Sequence, residues 1–202
     1  MANMGMKEKA QVYDLFASIF AKEPTAALLS LLQKEKPGLL LDLKEVDPSR
    51  QTEALAVEYT RLFIWPAVST SLCESIQRGE GRLCGKATAE VDAIYRKFGF
   101  RLDDSFKDTP DHLSAELAFL AELSKLESKF EKDGLIESAF GVLQVKKYFL
   151  KNHLLSWFPQ FKENVEREAE FSYYKEASRL LYSFLEDELE SLKDIEGVIR
   201  DV

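Results

Sequence analysis

Two cysteines and two histidines bound the metal and nucleophile chemistry open to this sequence. Cys73 and Cys84 show no Cys-x-x-Cys spacing, and His112 and His153 stand 41 residues apart, so neither pair sets neighbouring ligands on one ion. Cys73, Asp111 or His112 could give a small helical hydrolase or nucleotide-dependent enzyme its nucleophile, acid or base, yet no activating spacing accompanies them. The run GEGRLCGKAT approaches a phosphate loop and misses it. Three residues separate Gly81 from Gly85 where four are needed, and Ala87 stands in place of Ser or Thr. Spacings such as Glu163 with Arg167 or Glu186 with Glu190 are those of any charged helix, and the acidic stretch EDELESLKDIE reads as a solvated tail. The residues therefore predict no catalytic group, no metal and no cofactor, with the hydrolase as the alternative.

The elements that must carry these residues are all helical. With 46% hydrophobic and 31% charged residues in 202, the chain has the usage of a globular domain long enough to bury a core without disulfides or metal. A formal net charge of −8 disfavours phosphate backbones and anionic lipid and favours a basic partner. The aromatic residues fall on helix faces without an interleaved basic stripe, which argues against nucleic acid. No apolar run reaches membrane-span length and no signal-peptide core opens the sequence, so a cytoplasmic protein is expected, either monomer or homodimer.

Ala10, Tyr13, Leu15, Phe16, Ile19 and Phe20 fall at helical spacings before a break at Pro24. TAALLSLLQKEK follows, ending at Pro37 and Gly38, and after a looser LDLKEVDPSR the pattern resumes over Gln51 to Phe63. Ile64 to Gly85 keeps no period, and a connection of that length is the first place to look for function. A helix over Thr88 to Phe98 stops at Gly99, and a polar connector over 100–109 offers a hinge near 100–110. Thr109 as cap, Pro110 at the first helical position and Asp111 at the positive end predict the start of the strongest helix. Asp133 and Gly134 interrupt it. A further helix covers 135–151, another begins at Pro159, and the last runs from Phe171 to Leu192. No strand alternation competes, so the fold class is all-α, a compact multi-helix bundle treated as one domain over 1–202.

Four segments carry a family resemblance. Glu58-Tyr59-Thr60-Arg61-Leu62-Phe63 with Trp65-Pro66 and Glu74-Ser75 is the first, and Thr109-Pro110-Asp111-His112-Leu113 with Glu116-Leu117 the second. Phe149 to Leu154 with Trp157, and Tyr173 to Leu181, complete the set. In order and spacing they resemble the TorD/DmsD/NarJ group of redox-enzyme maturation chaperones. The resemblance implies an all-helical protein that binds the twin-arginine signal peptide, or other parts, of a molybdenum-containing oxidoreductase subunit until that client has its cofactor. Ile64-Trp65-Pro66 departs from the family's usual Gly-Pro, and a tryptophan lacks the backbone freedom of glycine. The client-binding residues expected on this basis are Glu58, Tyr59, Phe63, Trp65, Glu74, Asp111, His112 and Glu116. Carboxylates would hold the arginines and aromatic side chains the apolar part. Tyr59 and Phe63, four apart, also fit a core face, and Asp111 and Glu116 the start of a helix.

Overall fold

The computed structural model describes residues 5–35, 37–40, 47–64 and 69–200; Trp65, Pro66 and all of LDLKEV lie outside them. Helix α1 (Met6–Ala21) opens with Glu8 accepting a hydrogen bond from the Gly5 amide at 2.9 Å, and α2 (Ala26–Glu35) opens with Thr25 Oγ1 accepting from Leu28 N at 3.2 Å. Then come α3 (Pro48–Tyr59), α4 (Glu74–Gln77), α5 (Lys86–Lys97), α6 (Leu113–Lys132), α7 (Ile136–Phe149), α8 (Leu155–Glu168) and α9 (Ser172–Arg200). Among the described residues no helix is long and apolar enough to cross a membrane.

Helix α1 lies along α6, and one contiguous set of buried apolar side chains joins the helices. Two aromatic groups dominate it. Phe63 meets Tyr59 at 5.2 Å and Tyr174 at 5.0 Å between ring centres, while Phe119 meets Tyr95 at 4.8 Å and Phe149 at 5.1 Å. Helix α3 runs on into a π turn over Thr60–Ile64. The wider turn lets the adjacent Leu62 and Phe63 both face the core while Arg61 and Ile64 face outward.

Two helix starts differ from the sequence expectation. Helix α6 starts at Leu113 with His112 as its cap, not at Pro110 with Thr109, because Asp111 is drawn into long-range hydrogen bonds. Pro159 lies inside α8 instead of beginning it. A π turn over Leu150–Leu154 joins α7 to α8, and Leu155 ends it with ψ near −5°. That swings the carbonyl which a regular helix would press against the Pro159 ring. The acidic tail is also only partly solvated: Glu188 is 3% exposed on the inner stripe of α9, between Leu185 and Leu192.

Helices α5 and α6 end as expected at glycines. Gly99 has φ +68°, and the amides of Gly99 and Phe100 close on the carbonyls of Arg96 and Tyr95 at 3.2 and 2.9 Å. Gly99→Ala should lower stability by about 1 kcal/mol in chemical denaturation, since only the left-handed backbone is strained and no atom stands where the Cβ would go.

Candidate functional site

The long connection after Phe63 dips into the protein: Leu72, Cys73, Glu74 and Ser75 are buried. Asn164 Nδ2 donates to the Ser69 carbonyl at 2.7 Å, which fastens the segment to α8, and Gln77 Nε2 of α4 donates to that of Ser71 at 2.8 Å, which closes the segment on itself. Leu72 to Glu74 runs antiparallel to Asp111 to Leu113, with Glu74 N donating to Asp111 O at 2.9 Å and Leu113 N to Leu72 O at 2.7 Å. Two connectors far apart in sequence thus meet over the start of α6.

Side chains complete the junction. Asp111, fully buried, accepts from Ser75 N and from Thr88 Oγ1, both at 2.9 Å. Burial pushes its carboxyl up, but the hydrogen bonds from Ser75, Thr109 and Thr88 outweigh that and hold it below the usual aspartate range. His112 Nδ1 accepts from Ser114 N at 3.2 Å, capping α6, and burial keeps this imidazole neutral against the pull of Asp108 and Asp111. Tyr95 on α5 donates its hydroxyl to the Pro110 carbonyl at 3.1 Å.

Beneath them, Glu74 is 0% exposed and accepts from Arg78 Nη1 at 2.8 Å and from His153 Nδ1 at 3.0 Å. Neither oxygen of the fully buried Glu116 accepts a hydrogen bond, and its neighbour is the Glu74 carboxylate. Burial first, and the Glu74 charge second, push Glu116 far above the ordinary range, so it keeps its proton and donates it to Glu74. On Glu74 burial acts upward, but hydrogen bonds from His153, Glu116 and Arg78 win and hold it below its usual value. One carboxylate therefore serves three donors from α4, α6 and the α7–α8 turn.

Glu58 works elsewhere. Its Oε1 accepts from the Glu170 and Phe171 amides at 2.5 and 2.9 Å, capping the start of α9, while its buried Oε2 has no hydrogen-bond partner. Burial raises this carboxyl against the lowering by those two amides and Arg61. Beside it opens a depression of about 590 Å³ between α3 and the α8–α9 turn.

Of the eight residues expected to bind a client, Trp65 lies outside the described residues and the other seven are at most 7% exposed. Glu74, Asp111, His112 and Glu116 come together; Tyr59 and Phe63 belong to the aromatic core, and Glu58 to the α9 cap. Arg78, Thr88, Tyr95 and His153 complete the junction without having been picked out as site residues. The four-residue spacing of Glu74 and Arg78 was a usable signal, whereas the contact of Glu74 with His153 spans 79 positions and had none.

The chemistry required by the enzymatic alternative is poorly served. Burial pushes the Cys73 thiol up to about 11 despite a hydrogen bond from Thr109, so little thiolate forms at neutral pH. His112 turns Nδ1 to Ser114. At the near-phosphate loop, Glu80 Oε1 accepts from Ala87 N at 3.0 Å, so a carboxylate fills the amide end of α5 where a phosphate would have to sit. Among the described residues no group of three His, Cys, Asp or Glu could hold a metal ion.

The structure is an all-α bundle whose buried polar junction locks two connectors against the core. The family described as nitrate reductase delta subunit matches residues 21–163, and the chain belongs to that family, the TorD/DmsD/NarJ group of redox-enzyme maturation chaperones. It is similar to the chaperone protein TorD of Vibrio parahaemolyticus, at 29% identity over 88% of this chain and 91% of that one. A chlorate reductase assembly chaperone protein of Ideonella dechloratans is 35% identical over 60% of this chain and 62% of its own. The crystal structure of a candidate redox enzyme maturation protein from Archaeoglobus fulgidus covers 92% of this chain and 96% of its own with a TM-score of 0.56 and 27% identity.

Asp111→Ala removes the acceptor of Ser75 N and Thr88 Oγ1. A loss of about 2 to 3 kcal/mol in denaturation is expected, since a buried amide and hydroxyl lose their partner; a loss below 1 kcal/mol would show that Asp111 does not hold the connectors together.

Proposed function

We propose that this protein binds the twin-arginine signal peptide, and the apo form, of a molybdenum-containing oxidoreductase subunit in the cytoplasm and holds it until maturation is complete. The observation that carries this reading is the family match over residues 21–163, which takes in the first two motifs and the His153 motif; the excess of carboxylates and the names of the relatives agree with it. The role requires recognition and release without bond-making. The buried junction of Glu74, Asp111, His112 and Glu116 serves it by fixing the connectors over 69–80 and 100–112, so that a client meets a preformed surface and the ordering cost of binding falls.

Calorimetric titration with a twin-arginine signal peptide from a molybdoenzyme precursor, beside one with both arginines replaced by alanine, tests the reading. Binding at micromolar Kd or tighter is expected for the first, and at least ~10-fold weaker binding for the second. Equal affinity for the two peptides, or none for either, would remove signal-peptide recognition from the role.

A further inference from the structure

The expected client-binding residues of the described chain are interior, so the surface that meets the client must be found elsewhere. One apolar position on α3 is exposed in a telling way. Val57 is 65% exposed. A surface valine or isoleucine alone means little, but Val57 here lines the depression of about 590 Å³ between α3 and the α8–α9 turn. Glu53 stands one turn before Val57 on this face and Arg61 one turn after it, with Glu170 and Phe171 across the gap.

The electrostatics of the depression are lopsided. Asp47, Glu53, Glu58 and Glu170 line it against Arg50 and Arg61. Arg61 is engaged already, donating through Nη2 to the Glu168 carbonyl at 3.0 Å and standing 3.5 Å from Glu170 and 3.6 Å from Glu58. Glu53 is exposed, Glu170 is 72% exposed, and Glu58 on the inner wall keeps one carboxylate oxygen unpartnered. Apolar surface from Ala54, Val57 and Phe171 runs between these acids.

We propose that this groove between α3 and the α8–α9 turn is the docking site for a client segment in which arginine stands next to apolar residues. The proposal rests on the signal-peptide reading above and names where that peptide lies. One guanidinium bridges Glu53 and Glu170, forked donors meeting two carboxylates, which an ammonium could match less well. The apolar residue beside it covers Val57 and Phe171. Arg61 keeps the acids from repelling one another before the client arrives, and Glu58 ties the groove to the fold by capping α9, so the walls are set before binding.

The residues that make the contacts are exposed, so they can be changed without opening the core. In calorimetry with the twin-arginine peptide, Glu53→Lys with Glu170→Lys should weaken binding ~100-fold or more, while Glu131→Lys with Glu137→Lys, the same charge change on exposed positions near the α6–α7 turn, should weaken it less than ~3-fold. A photo-crosslinking side chain at position 57 should capture the peptide, and one at the exposed Leu180 of α9 should not. Unchanged affinity in the groove variant, equal weakening in both, or capture only from position 180 would overturn the groove. If the unaltered protein fails to distinguish the twin-arginine peptide from its alanine version, the signal-peptide reading fails and the groove falls with it.

Discussion

Glu74→Ala should cost about 3 to 5 kcal/mol, and Glu116→Gln, one contact away, less than about 1 kcal/mol. The two carboxyls lie side by side at 0% exposure, yet they do opposite work. Glu74 is the charged acceptor for Arg78, His153 and the Glu116 proton; removing it strands the buried His153 and Glu116 donors, while the Arg78 guanidinium, 34% exposed, still has water and Glu90 at 3.9 Å. Glu116 is already neutral, and the amide of glutamine can still donate to Glu74. Denaturation curves followed by circular dichroism would show the contrast. Similar losses in both variants would mean that Glu116 is charged in the folded protein.

Acidity gives a second handle on the same pair. Folding raises the Glu116 pKa, so above the ordinary glutamate range the folded protein keeps a proton that the unfolded chain releases. The stability tied to that proton is fully present below the unfolded value and declines as pH rises, by up to about 1.4 kcal/mol per pH unit. Glu74, whose pKa folding lowers, has the opposite sign: its contribution is present above the unfolded value and is lost as pH falls through the folded one. Glu116→Gln removes only the first term. From about pH 5 to pH 8 the variant should therefore gain stability relative to the parent, and parallel profiles would refute a shared proton.

The other large effect is expected far from the connectors, where Lys146, 1% exposed, stands 2.8 Å from Glu127 and 3.7 Å from Glu188. Lys9 reaches Glu188 at 2.5 Å and the Tyr13 hydroxyl donates to it at 3.4 Å, so α1, α6, α7 and α9 share one buried charge cluster. Lys146→Met should cost about 3 to 5 kcal/mol, because Glu127 is left charged and buried without its partner. Adding Glu127→Leu should restore part of that loss, since Glu188 keeps Lys9 while the stranded charge is gone. A single-variant cost under about 1 kcal/mol, or a double variant worse than the single, would show that the cluster does not hold the helices together.

Local rules served well where the determinant was local. The glycine stops after α5 and α6 follow from a left-handed backbone position, and the inner face of α9, with Tyr174, Ser178, Leu181, Leu185 and Leu192 buried, follows from helical spacing. The same spacing places Glu188 on that inner face, yet its charge argued for solvent; the partners that permit its burial come from residues 9 and 146. The start of α6 was misplaced for a similar reason. Thr109, Pro110 and Asp111 make a sound local start, but the Asp111 carboxylate is taken by residues 36 and 23 positions away, and the cap passes to His112.

The sequence by itself determined the helical class, most helix spans, the apolar faces and the family, because these depend on spacing along the chain and on motifs read in order. Tertiary structure alone decided what the motif residues do. Whether a carboxyl is a surface ligand for arginine or a buried acceptor depends on which donors arrive from distant segments and whether water is shut out, and neither is encoded in the neighbouring residues. That is why Glu74, Glu116 and Asp111 became parts of the frame, and why the exposed acid-rimmed groove beside Glu58 is unmarked by any motif beyond Glu58 and Arg61.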